Sequence, residues 1–158
     1  MMIIEAAGGR QIVVDDGDYE WLSKFRWRVI GKGYAARNVA DKTKASGRTA
    51  SYMHREILGL ERGDATVVDH INGNPLDNRR CNLRACNISQ NGMNRGAAAH
   101  NKSGLKGVFW DKRRNKWTAY IRAEGKQKYL GLFVSPELAH QAYSVAAQEY
   151  HGAFARTE

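Results

Sequence analysis

Val68-Asp69-His70-Ile71-Asn72-Gly73-Asn74-Pro75-Leu76-Asp77-Asn78-Arg79-Arg80-Cys81-Asn82-Leu83-Arg84-Ala85-Cys86-Asn87-Ile88-Ser89-Gln90-Asn91 is the stretch that decides the fold. Thr66, Val67 and Val68 form an apolar, β-like run that Asp69-His70 closes. The cluster Asn72-Gly73-Asn74-Pro75 must turn the chain, and Asn82-Leu83-Arg84 starts a returning strand. Asn91 then falls on a short polar helix, so the stretch reads as a hairpin followed by a helix. Neighbours on a regular strand point to opposite faces. Asp69 and His70 must nonetheless serve one site, so the strand is expected to end between them. Asn72, Asn74 and Asn78 are read as turn formers that satisfy their own backbone.

An acid, a histidine and two spaced asparagines suit phosphodiester hydrolysis. That reaction puts extra negative charge on phosphate oxygens, which an oxygen-liganded hard cation neutralises while keeping several waters. An imidazole with an ordinary pKa of about 6.5 takes a proton from water near neutral pH. The segment resembles the H-N-H endonucleases, whose ββα-metal site is a hairpin followed by a helix that cradles one divalent cation. The resemblance implies that Asp69 is a metal ligand, His70 the general base and Asn82 the brace of the hairpin. Asn91, twenty-one residues after His70, takes the third motif position as the second metal ligand, which makes the chain an H-N-N variant. The implied ion is Mg²⁺ or another divalent cation such as Mn²⁺. With Asp69 the only anionic ligand, water and the DNA phosphate must complete its shell, so metal affinity without DNA should be weak. His54, in Tyr52-Met53-His54-Arg55, matches a His-Arg that the family often carries before the hairpin. A helix-start or core histidine explains it equally well.

Charge points to the partner. Lysine and arginine total 25 against 16 acids, a net +9. Residues 21–48 hold eight basic side chains and one acid, and residues 98–130 hold nine and two, whereas residues 1–20 hold one basic side chain and five acids. Two basic stretches flanking the hairpin suit a chain that tracks a phosphate backbone, here double-stranded DNA. No long apolar run or strongly amphipathic basic helix supports membrane binding. Cys81 and Cys86 lack the second ligand pair of a zinc site, so reduced thiols and no structural zinc are expected. Met1-Met2-Ile3-Ile4-Glu5 meets an acid too early for a secretory h-region. The expected location is intracellular, in a bacterial or phage-infected cell.

Two domains of an α+β protein are expected: a β-rich scaffold with the hairpin-helix motif over 1–95, a linker over 96–102, and a second module over 103–158. Residues 1–50 read as short strands at Gln11–Val14, Phe25–Val29 and Tyr34–Arg37, separated by glycine turns. Phe25, Trp27 and Val29 would face a small core, with Arg26 and Arg28 outward. A helix is expected over 53–60.

The second module reads as strands at 105–110, 115–122 and 126–133 and a covering helix. Ser135-Pro136-Glu137 supplies an N-cap, a proline in the first turn and an early acid, and Gly152 ends the helix. Ala139, Tyr143, Ala146 and Tyr150 form one helical face. Alternation turns Trp117, Ala119 and Ile121 toward that helix and leaves Lys116, Thr118, Tyr120 and Arg122 on an open face. Ser103-Gly104-Leu105-Lys106-Gly107-Val108, Lys116–Arg122, Tyr129-Leu130-Gly131-Leu132-Phe133 and the alanine-rich helix resemble the plant Apetala-two or ethylene-response-factor DNA-binding domain. In that family the sheet enters the major groove. The resemblance implies DNA contacts from Lys106, Lys116, Arg122 and Tyr129; Tyr120 on the open face is expected to join them, and charge alone adds Arg113 and Arg114. Phe109 and Tyr120 depart from the plant pattern, so plant sequence preference does not transfer. The combination resembles phage and mobile-element homing endonucleases. The function expected is metal-dependent DNA cleavage at a site read by the C-terminal sheet; a DNA-binding regulator that keeps the nuclease fold as scaffold is the alternative.

Overall fold

The computed structural model describes residues 1–157. They form an α+β chain of four small antiparallel sheets and four α-helices, in two compact units divided between Asn87 and Ile88. Among the described residues no helix is long and apolar enough to cross a membrane.

The first unit begins with a hairpin of β1 (Met2–Glu5) and β2 (Gln11–Val14). Its alternating Ile4, Ile12 and Val14 enter the core. Helix α1 (Asp16–Leu22) follows. Next comes the sheet β3 (Arg28–Ile30), β4 (Tyr34–Ala40) and β5 (Arg48–Tyr52), in that order. Helix α2 (Met53–Ile57) leads to the hairpin of β6 (Val67–His70) and β7 (Leu83–Cys86). One apolar cluster joins these elements around Trp27, Leu22, Met53 and Val68.

Three expectations for this unit are corrected. Helix α1 stands where only strands were expected; it is seven residues long, begins Asp-Gly-Asp, and shows too few apolar repeats to register as periodic. It is held by what it packs on, not by propensity. The strand expected from Phe25 begins at Arg28, because Trp27 turns inward and its Nε1 donates to the Leu22 carbonyl at 2.8 Å. Phe25 is consequently exposed, with the Arg37 guanidinium 3.9 Å above its ring. Finally, β6 does not end between Asp69 and His70. The ladder runs on, pairing Asp69 with Arg84 and His70 with Leu83.

The second unit opens with α3 (Ile88–Met93). Strands β8 (Val108–Asp111), β9 (Lys116–Ala123) and β10 (Lys126–Phe133) form a meander with β9 in the centre, and α4 (Pro136–His151) packs on one face. Glu124 and Gly125 both have positive φ (54° and 74°), as a two-residue hairpin turn requires. Ser135 Oγ accepts the Leu138 N–H at 3.3 Å, the N-cap bond. Strand β8 starts three residues later than expected. Gly107 holds φ 76° immediately before it, and a Cβ there would lie 2.1 Å from Tyr143 Cδ2. Ala119, Ile121, Ala139, Tyr143 and Ala146 are buried between sheet and helix. Tyr150, expected on that face, is exposed at the helix end, where the Lys128 ammonium sits 4.0 Å from its ring; Ala147 is buried instead. Thr118 lies on the open side but is covered, with its hydroxyl 3.3 Å from the Gly131 carbonyl oxygen.

Candidate functional site

The β6–β7 hairpin and its connecting loop are tied at both ends. Asn82 is buried; its Oδ1 accepts the Asn72 N–H at 3.0 Å and its Nδ2 donates to the Asp77 carbonyl at 2.7 Å, so one amide spans the loop. Asp77, also buried, takes a fork of two bonds from Arg79 (2.8 and 2.6 Å) and one from Asn72 Nδ2 (2.8 Å). The Arg79 guanidinium holds the Asp77 carboxyl below the usual carboxylate range. The loop also hangs on the N-terminal hairpin: Val13 N–H donates to Leu76 O at 2.9 Å and Asn78 N–H to Val13 O at 2.8 Å. Helix α1 finishes the mounting. Arg80 reaches both oxygens of buried Asp18 at 2.8 Å and donates its backbone N–H to Asp15 at 2.7 Å. Two of the five acids of residues 1–20, Asp15 and Asp18, thus anchor Arg80 beside the loop.

Asp69 and His70 are both buried at the end of β6. Asp69 Oδ2 accepts from its cross-strand neighbour Arg84 through Nε (2.8 Å) and Nη2 (2.6 Å). His70 enters an aromatic nest. Its ring centroid lies 5.2 Å from that of His54 at 86° and 5.9 Å from that of Tyr34. His54 in turn stacks on Tyr52 at 5.6 Å and meets Tyr34 at 5.3 Å. Arg55 fixes α2 against the approach to β6 by donating to the carbonyls of Thr66, Glu61 and Asp64 at 2.7–3.1 Å. That clamp sets His54 against His70.

Burial is the main force on both imidazoles. It holds His70 below the usual histidine value, against a smaller upward pull from the neighbouring Asn78 side chain and from the Asp69 and Asp77 carboxylates. It drives His54 further, to about 3, helped by the charges of His70 and Arg55. Both rings are therefore neutral at pH 7, and a neutral imidazole is the form that accepts a proton.

Asn91 lies half-buried on α3, in the second unit. Among the described residues no three His, Cys, Asp or Glu side chains cluster as metal ligands. The donors at issue are oxygens, one carboxylate and one amide. That set fits a hard cation that keeps its waters and borrows phosphate oxygens, and it does not fit a zinc site. Cys81 is exposed and Cys86 buried.

On the C-terminal sheet Tyr120 and Tyr129 are cross-strand partners 5.5 Å apart, and Phe109 lies 6.3 Å from Tyr120, so an aromatic row crosses all three strands on the open face. Lys116 and Arg122 are exposed on either side of that row along β9. Arg113 and Arg114 are exposed in the β8–β9 turn, where Asp111 accepts both backbone N–H groups (2.9 and 3.2 Å). Lys106 stands apart from these. It is half-buried, its ammonium donates to the Met93 carbonyl and lies 5.8 Å from the Tyr143 ring, and burial lowers its pKa to about 8.

The sequence left His54, whose partners are remote along the chain, open between a motif residue and a helix-start or core histidine, and it marked Asn78 as a turn former, although Asn78 is fully buried. Only the His-Arg pair hinted at His54. The chain matches the HNH endonuclease family over residues 51–93, a stretch that takes in His54, Asp69, His70, Asn82 and Asn91. Protein 3.8 of Escherichia phage T7 is 39% identical over 89 residues, covering 56% of this chain and 73% of that protein. An uncharacterized HNH endonuclease of Acanthamoeba polyphaga mimivirus is 26% identical over 134 residues, 85% of this chain and 67% of its own length. No solved structure matches.

Proposed function

We propose that this chain, which carries an HNH endonuclease domain at residues 51–93, is a metal-dependent, homing-type DNA endonuclease whose C-terminal sheet reads the target. The observation that carries the reading is a buried His70, held by that burial below the usual histidine value, in a hairpin braced by Asn82. His70 takes the proton from the attacking water. Asn82 keeps the loop from unfolding around it, and the Arg84 fork fixes the Asp69 carboxylate. Asp69 and Asn91 are the oxygen donors for Mg²⁺ or Mn²⁺, which when bound neutralises charge on the phosphate.

Lys116, Arg122, Arg113 and Arg114 supply phosphate or base contacts to double-stranded DNA, with Tyr120 and Tyr129 between them. Their chemistry is what supports this part of the reading: cations for phosphate, and an open sheet resembling the Apetala-two domain. Lys106, engaged with Met93 and Tyr143, contributes to the fold around α4 and reaches DNA only by leaving those partners. The domain division proposed is a nuclease region over 1–95, a linker over 96–102 and a reader over 103–158.

The test is plasmid cleavage with and without Mg²⁺, by the wild-type chain and by His70→Ala. Cleavage that needs the metal and falls roughly 10²–10⁴-fold in the variant, at unchanged DNA affinity, supports the assignment. Metal-independent cleavage, or a variant that cuts at the wild-type rate, refutes it. A chain that binds DNA and never cuts it is the regulator.

A further inference from the structure

The aromatic nest around His70 contains a polar atom that packing does not account for. His54 is 8% exposed, and its Nδ1 is sealed from solvent with no hydrogen-bond partner among the described residues. A buried nitrogen without a partner is costly, and a phenylalanine would fill the same space without that cost. The nearest titratable ring is that of His70, with centroids 5.2 Å apart. An N–H···N bond of about 2.9 Å between two imidazoles, each nitrogen about 1.1 Å from its ring centre, puts the centroids about 5 Å apart. The two rings already stand at that separation; at an interplanar angle of 86° a ring rotation is enough to aim one nitrogen at the other.

We propose that His54 is a positioning residue: when DNA loads the site, His54 Nδ1 accepts a hydrogen bond from a ring N–H of His70 and so fixes which His70 nitrogen faces the attacking water. A base must present a lone pair on one nitrogen and carry its hydrogen on the other, and the partner of the second nitrogen sets that choice. His54 suits the task for two reasons. It is immobilised by Tyr34 and Tyr52 and by the Arg55 clamp on the adjacent residue. It also stays neutral well below pH 7, so its Nδ1 keeps an acceptor lone pair while the site works. The inference rests on the reading of His70 as general base.

Three variants separate nitrogen from packing. His54→Phe keeps an aromatic ring and removes the acceptor; His54→Asn returns an acceptor oxygen near the place of Nδ1; His54→Ala removes both. Single-turnover cleavage under saturating Mg²⁺ should fall about 10–100-fold in His54→Phe, as part of the 10²–10⁴-fold contribution of a general base, with DNA affinity unchanged, and His54→Asn should recover most of the loss. Ring ¹⁵N shifts of His70, recorded on the DNA-bound protein in Ca²⁺ to hold the substrate uncut, should show one dominant tautomer in the wild type and a mixture in His54→Phe. A His70 tautomer population that is the same in both proteins overturns the proposal, as does His54→Phe cutting at the wild-type rate or His54→Asn cutting no better than His54→Ala. The tautomer measurement needs no cleavage. A wild-type chain that never cuts DNA therefore refutes the nuclease reading by the plasmid assay, while the ¹⁵N comparison still decides the His54–His70 contact.

Discussion

Lowering the pH should destabilise the first unit through His54 before any paired carboxylate titrates. The folded-state pKa of His54 is about 3, against an ordinary 6.5, so the unfolded chain takes up the proton first. The associated stability is complete above the unfolded value and is lost as pH falls from about 6.5 toward 3, at about 1.4 kcal/mol per unit. Between pH 8 and pH 5 the loss is about 2 kcal/mol, a large share of a total that is commonly about 5–15 kcal/mol. His70, also depressed by burial, adds a slope of the same sign. His54→Phe removes the His54 part alone and leaves the His70 part. Urea unfolding at pH 8, 6.5 and 5, followed by tryptophan fluorescence with Trp27 as the core reporter, measures both slopes. The wild type should lose about 2 kcal/mol more than His54→Phe over that range. If the two proteins lose stability in parallel, His54 is not held neutral by burial and the reasoning fails.

Other perturbations test the remaining parts of the argument. Asn82→Ala strips the Asn72 N–H and the Asp77 carbonyl of their partner and should cost about 2–4 kcal/mol by urea unfolding; a loss below about 0.5 kcal/mol would mean that the loop is braced elsewhere. Gly107→Ala places a methyl 2.1 Å from Tyr143 Cδ2 and 2.8 Å from the Tyr120 carbonyl oxygen at φ 76°, so thermal denaturation should show a loss of at least about 2 kcal/mol. An unchanged melting temperature would refute that packing. Lys116→Ala or Arg122→Ala should reduce the slope of log K against log salt by about one unit if the side chain meets phosphate. A base contact instead costs about 1–3 kcal/mol at one position of the target. DNA binding unaltered by both changes removes β9 from the reader.

How much was legible in the sequence follows the range of the interactions involved. The hairpin with Asp69, His70 and Asn82, the short helix bearing Asn91, and the C-terminal meander with its Ser135-capped helix all rest on local chemistry. Turn residues, capping side chains and period-two or period-3.6 patterns act within a few positions, and those elements stand where the patterns put them, apart from the late start of β8 and the unbroken end of β6. The short N-terminal elements do not work that way. Helix α1 is held by Asp18 against Arg80, sixty-two residues away, and β3 starts late because Trp27 was drawn into a core assembled from remote strands. The same holds at the candidate site. The identity of His70 could be read from its neighbours in the chain, but its neutral state and its contact with His54 could not. Both arise from burial and from two elements meeting in space, and desolvation depends on everything packed around a group rather than on the residues beside it in the chain.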